Sequence, residues 1–178
     1  VSLSAALPLS AASHVDVVKM RTENRVNPLG IGTSTPRFSW QITSDRKGVV
    51  QTSYQILVAS SREKLDRNEA DLWDSGECNS DEQLWIPYQG KALLSGAQAY
   101  WKVRITTNKG KSEWTEPQLF SIGLLGETKW SGTWIGLEDL QPGEQKGMHT
   151  RLAARYIRKD FAAKGKVKRA VAYVAGLG

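Results

Sequence analysis

Along the first two thirds of the chain, apolar residues fall on alternate positions and are punctuated by turn residues. The period is that of a strand with one buried face. The segment VDVVKMRTE after His14 reads as a first strand. Pro28, Gly30, Gly32 and Pro36 then mark an irregular connection into RFSWQI, where Phe38, Trp40 and Ile42 share a parity. Tyr54, Ile56 and Val58 repeat the pattern. Ser61, with Lys64 and Leu65 behind it, is placed to cap a one-turn helix, and Leu72 and Trp73 form a short edge strand ending at Ser75 and Gly76. In QLWIP, Leu84 and Ile86 are expected on one face and Trp85 on the other, with Pro87 ending the strand. Trp101, Val103 and Ile105 alternate with Lys102, Arg104 and Thr106, Asn108 to Gly110 supply a turn, and a last strand runs from Trp114 towards Ile122. About seven short strands at such intervals predict an all-β sandwich with Trp40 and Trp101 in its core.

Around Gly123 the pattern changes. A Gly-rich stretch carrying Trp130, Trp134 and Ile135 reads as a linker that docks, because a free tether has no use for such side chains. Two strand candidates follow, ARYIRKDF with Ile157 and Phe161, and VKRAVAYVAGLG with Val167, Val171 and Tyr173. The expected organisation is a leader over 1–13, a β-sandwich over 14–124, and a linker with the opening strands of a truncated second sandwich over 125–178. Two or three strands cannot bury a sandwich core alone. The apolar strand from Val167 to Leu177 is therefore a candidate for self-association.

Charge narrows the partners. The 24 basic and 18 acidic residues give a net charge of +6, spread along the chain apart from Lys164, Lys166, Lys168 and Arg169. That run comes without a recognition helix or interleaved aromatics, so a solvated strand edge is favoured over nucleic-acid binding. No run reaches the ~18 apolar residues of a membrane span. The opening VSLSAALPLSAAS is uncharged and rich in Ala and Ser, like the end of a secretory leader, which predicts a secreted or periplasmic protein. Cys78 is the single cysteine, so no intrachain disulfide forms.

Chemistry-bearing constellations are sparse. The acidic cluster Glu69, Asp71, Asp74 and Glu77 sits in a turn-rich edge and lacks the ligand order of a calcium loop. His14 and His149 are too few for a zinc site or a histidine-based triad, and no Gly-x-Ser-x-Gly elbow occurs. Gly30 and Gly32 precede a strand without a long helix to hold phosphate. Neither a metal nor a cofactor is expected, and no catalytic residue is assigned. Sugar contact would fall to exposed aromatic rings: Trp85, whose neighbours share the opposite face, and Trp130 and Trp134. Interdomain packing is the competing role for all three.

Several segments, in order, resemble the N-terminal region of bacterial α-L-rhamnosidases: NPLGIGTSTPRFSWQI, KGVVQTSYQILVASS, DLWDSGE, YWKVRITTNKGKSEWTEP, GLL, WIG and RKDFAAKGKVKRAVAYVAGLG. The resemblance implies a fibronectin type III/immunoglobulin-like β-sandwich followed by a jelly-roll-like second sandwich segment. It also implies that the carboxylates of the family's catalytic (α/α)-barrel have no positions here. Leu94, Gly96, Tyr100 and Val103 are similar to the leucine and tyrosine-corner strand of that module, although Tyr100 then falls on the parity opposite Trp101 and Val103. The expected function is a non-catalytic module that braces or spaces the catalytic and β-sandwich domains of a rhamnose-releasing hydrolase. The alternative is a carbohydrate-binding or adhesive module for rhamnose-containing glycans.

Overall fold

The computed structural model describes residues 15–126, 131–136, 142–145, 147 and 155–176. The leader, both histidines and Trp130 lie outside the described residues. The chain divides into two units, Val1–Trp130 and Ser131–Gly178.

The first unit is the expected all-β sandwich. Its elements are β1 (Val15–Thr22), β2 (Arg37–Ser44), β3 (Gln51–Ala59), α1 (Arg62–Asp66), β4 (Trp73–Asp74), β5 (Ile86–Pro87), β6 (Gln98–Thr107), β7 (Gly110–Lys111) and β8 (Gln118–Ser121). One sheet runs β1-β2-β5; the other runs β4-β3-β6-β7, with β8 also on β6. All strand pairs are antiparallel.

Alternation in β6 sends Ala99, Trp101, Val103 and Ile105 inward, where they are fully buried. Across the ladder Trp101 faces Val58, Val103 faces Ile56, and Ala99 faces Phe120. From the opposite sheet Phe38 packs into this layer, its ring centroid 4.4 Å from that of Trp101 and 5.8 Å from that of Phe120. Burial of rings of this size supplies about 2–3 kcal/mol each, the main favourable contribution of the core.

The last strand is split around residues 112–117, where Pro117 has no N–H and only single backbone bonds, from the Ser112 and Thr115 N–H to the Ile105 and Val103 carbonyls, reach β6. Side-chain hydroxyls supply the return bonds. The Val103 N–H donates to Thr115 Oγ1 (3.0 Å) and the Ile105 N–H to Ser112 Oγ (3.1 Å), so β6 keeps its donors satisfied between β7 and β8.

The outer face of β3 and β6 is not left to solvent. Ser61 caps α1 by accepting the Lys64 N–H, and Leu65 of that helix packs on Leu57 and Ala59. A small second cluster results, which Tyr100 and Trp114 border. This is why Leu57 and Ala59, on the parity opposite Ile56 and Val58, are also buried. Lys102 points the same way; its ammonium donates to the Leu65 carbonyl at the end of α1 and lies 5.1 Å from the Trp114 ring centroid.

Two expectations need correction. Leu94 is 73% exposed, and the core position belongs to Leu93. Tyr100 lies outward, with Trp101 inward, so it does not form a tyrosine corner. A different tyrosine does the tying. Tyr88, buried beyond β5, donates its hydroxyl to the Lys91 carbonyl (2.7 Å) with the Leu72 carbonyl 3.3 Å away. Gly90 lets the chain come this close, because a Cβ there would stand 2.4 Å from Trp73 Cβ and 2.6 Å from the Tyr88 hydroxyl. At the far end of β8, Gly123 passes against Gly30, where a Cβ would lie 3.0 Å from the Gly30 carbonyl oxygen.

In the second unit, the described residues contain neither helix nor strand. Arg155 and Glu144 form a two-pronged ion pair there. The strand candidates around Ile157 and Val171 are therefore not strands among residues 155–176, and Ile157, Phe161, Val167 and Val171 are exposed. An extended apolar segment becomes a strand only when a neighbour takes up its backbone groups, and no strand pairs with it among the described residues.

Candidate functional site

The site begins at a tight turn. Thr22 and Arg25 exchange backbone hydrogen bonds (2.9 and 3.0 Å), and Glu23 and Asn24 between them have φ of +47° and +61°. Positive φ at both central residues is the pattern of a type I′ turn. It aims Glu23 back at the first residue of β2.

Glu23 holds Arg37 from backbone and side chain together. The Glu23 N–H donates to the Arg37 carbonyl (3.0 Å), and Glu23 Oε1 accepts the Arg37 N–H (2.8 Å) and Nε (3.1 Å). Glu23 Oε2 accepts Nη2 at 2.7 Å. These bonds from Arg37, reinforced by its charge, outweigh partial burial and hold the Glu23 carboxyl below the usual carboxylate range. The pair is geometrically specific because a planar fork meets a planar carboxylate.

The guanidinium so fixed lies 4.0 Å from the centroid of the Trp85 ring. Trp85 sits immediately before β5 with φ of +59°. A bulky side chain in that region costs about 1–3 kcal/mol, and the surroundings must over-determine it. Two constraints are visible: the Trp85 N–H donates to Ser39 Oγ (3.0 Å), with Ser39 buried, and the next residue, Ile86, pairs with Phe38. The residue as a whole remains 42% exposed.

This backbone kink also corrects the expected parity. Leu84 does not share a face with buried Ile86; it is 64% exposed, because the left-handed residue between them breaks the alternation. Glu23 further lines a cleft of about 380 Å³ together with Arg25 and the 28–33 loop. That volume is within the range of small-molecule sites.

Of the three tryptophans singled out for sugar contact, Trp85 stands exposed on the sandwich and Trp134 is exposed in the second unit; Trp130 lies outside the described residues. Trp85 and Trp134 belong to different units. Arg37 and Glu23 were not among the expected site residues. Their signals are the outward parity of Arg37 beside Phe38 and the Glu-Asn turn, but only the β2/β5 register brings them to Trp85.

The acidic cluster is distributed over separate structural bonds. Glu69 pairs with Arg67, Asp74 accepts from Gln55 and the Gly76 N–H, and Glu77 accepts from Ser53 and Thr106. Asp71 accepts from Lys64 Nζ (2.6 Å) and from the Ser60 N–H and hydroxyl. Burial pushes the Asp71 carboxyl up, but those bonds outweigh it and hold it at about 2. Among the described residues no group of three His, Cys, Asp or Glu side chains is arranged to hold a metal ion. No helix among them is long and apolar enough to cross a membrane.

Comparison with known proteins places this chain in a family. Over 179 residues the chain is 34% identical to an α-L-rhamnosidase of Formosa agariphila, covering 92% of this chain and 19% of that one. The crystal structure of Streptomyces avermitilis α-L-rhamnosidase complexed with L-rhamnose aligns with a TM-score of 0.65 at 36% identity, over 69% of this chain and 12% of that one. The α-L-rhamnosidase structure from Dictyoglumus thermophilum gives 0.64 at 36%, over 67% and 14%. The chain thus spans less than a fifth of the length of each of these relatives. Residues 17–126, the sandwich just described, match the Rha78A-like, N-terminal immunoglobulin domain, and the chain belongs to that family.

Proposed function

We propose that this chain is a non-catalytic N-terminal module of an α-L-rhamnosidase, and that its sandwich braces or spaces the domains that hydrolyse terminal α-L-rhamnose. The observation that carries the reading is the match of residues 17–126 to an N-terminal immunoglobulin domain whose relatives are several times longer. The acidic residues agree with it, because glycoside hydrolysis takes two carboxyl groups facing one sugar. Here each clustered acid has its own structural partner.

The partners in this reading are the catalytic and β-sandwich domains of the longer protein. Secretion or a periplasmic location belongs to it too, supported by the small, apolar, uncharged opening residues. Self-association through the 167–176 segment is supported by the exposure of Val167, Val171 and Val174.

The test compares the longer rhamnosidase with and without residues 15–126. The reading expects this chain alone to release no rhamnose from an aryl rhamnoside. It expects the shortened enzyme to lose thermal resistance before it loses turnover. Turnover by this chain alone would sink it.

A further inference from the structure

We propose that the end of the sandwich where the chain leaves it, with Leu29 on one side and Leu94 on the other, is the docking face for a later domain of the longer rhamnosidase. Such docking presupposes the bracing role and names the surface that performs it.

Two leucines stand out of the sandwich at this end. Leu29 is 75% exposed and Leu94 73%, although each lies within two residues of a core side chain, Ile31 and Leu93. Neither is on a loose tip. Directly after Leu29 the chain turns at Gly30, φ +73°, whose N–H donates to Ser121 Oγ at 3.0 Å. After Leu94 it turns at Gly96, φ +76°, and the Leu94 carbonyl accepts the Ala97 N–H at 3.0 Å. Both leucines are thus held outward by ordered backbone.

The exit of the chain runs between these two loops and is tied to both. The Gly123 N–H donates to the Ile31 carbonyl (2.8 Å), and the Gly96 N–H reaches the Ile122 and Gly123 carbonyls (3.1 and 3.2 Å). The Leu125 N–H donates to Ser95 Oγ at 2.9 Å. The chain therefore leaves the sandwich in a fixed direction, flanked by Leu29 and Leu94. A free tether has no use for such a clamp, whereas a domain held in one orientation requires it.

Length identifies the occupant. The family match ends at residue 126, and the chain spans less than a fifth of each relative. In the bracing reading most of the longer protein follows this exit, so its surfaces meet Leu29 and Leu94 at the high effective concentration of a covalent link. A second copy has no such advantage. Separate proteins need about 1,000 Å² of buried surface, far more than two leucine side chains offer. The facing surface is accordingly apolar, with a side chain entering the cleft of about 380 Å³ that Leu29 lines beside Arg25 and Thr33.

Hydroxyl-radical footprinting, read by mass spectrometry at single side chains, compares the 178-residue chain with the longer rhamnosidase. Val50, 53% exposed and bonded to Asn108 just past the opposite end of β6, is the internal reference. The expected result is a several-fold fall in labelling of Leu29 and Leu94 in the longer enzyme, with Val50 reacting equally in both. Dilution leaves that protection unchanged, because an occupant on the same chain does not diffuse away. With Leu29→Asp and Leu94→Asp together, the longer enzyme loses thermal resistance as the shortened enzyme does, while the 178-residue chain unfolds at an unchanged urea concentration. Undiminished labelling of either leucine in the longer enzyme overturns the proposal. So do low reactivity of both already in the 178-residue chain, a double variant as heat-resistant as the wild type, and protection that disappears on dilution, which assigns the face to a second copy. Thermal resistance that falls on removal of residues 15–126 while both leucines stay reactive leaves the brace standing and places it on another face. Failure of the bracing reading shows instead as equal resistance with and without the sandwich.

Discussion

The indole N–H of Trp40, in β2, donates to Oε1 of Gln51, the first residue of β3, at 3.0 Å inside the core. The bond crosses from one sheet to the other. Gln51 also donates through Nε2 to the carbonyls of Ser80 (3.0 Å) and Glu82 (2.9 Å), fixing the loop that leads towards Trp85. A buried amide with every hydrogen bond made is stabilising, whereas a half-satisfied one is costly. Replacing Gln51 by Met should therefore destabilise the sandwich by about 2–3 kcal/mol, through the unpaired indole and carbonyls left behind. Urea unfolding would measure it, and pairing with Trp40→Phe should give a less than additive loss, since both changes break one network.

A second prediction separates two tyrosines. Tyr88 donates to the Lys91 carbonyl from within the core, whereas among the described residues the Tyr100 hydroxyl has only a long contact with Gln98 at 3.4 Å. Tyr88→Phe should cost about 1–1.5 kcal/mol and Tyr100→Phe less than about 0.5 kcal/mol. Equal losses in thermal or urea unfolding would return the anchoring role to Tyr100.

Acid stability should depend on Asp71. Its folded carboxyl titrates at about 2, below the ordinary aspartate value, because its burial is outweighed by the Lys64 and Ser60 hydrogen bonds. A depressed folded value contributes stability above the unfolded value, and that contribution is lost as pH falls through the folded one. The difference in melting temperature between the wild type and Asp71→Asn should thus be present at pH 7, shrink below about pH 4, and vanish near pH 2. A difference that stays constant over this range would contradict the assignment. Both Lys64 and Asp71 are partly exposed, so added salt should reduce the effect at neutral pH.

The parts of this fold that sequence reveals are those where one face is buried and the other is not. In β6 the alternation of Trp101, Val103 and Ile105 against their neighbours translates directly into burial. Ser61 announces α1 by the same local logic, since a cap needs only its own first turn. Alternation fails where the backbone departs from an extended conformation. The positive φ of Trp85 puts Leu84 outside, and nothing in the residues QLWIP requires that kink. The leucine and tyrosine positions slip for a related reason: spacing alone allows Leu93 or Leu94, and it is Leu93 that the fold buries, while Trp101 and not Tyr100 packs against Phe38. The Arg37–Glu23–Trp85 cluster unites residues far apart in the chain through strand pairing, which is a tertiary fact. At residues 155–176, apolar alternation is present without a ladder partner among the described residues, and the pattern alone produces no strand.

The central claim is that residues 15–126 form one complete β-sandwich. Limited proteolysis followed by mass spectrometry tests its structural basis most directly. The account predicts a resistant core spanning about residues 15–126, the strands that share the buried aromatic layer, with residues 155–176 removed early because they are exposed and without regular structure. Equal protection through residue 176, or early cutting within β3 or β6, would contradict it.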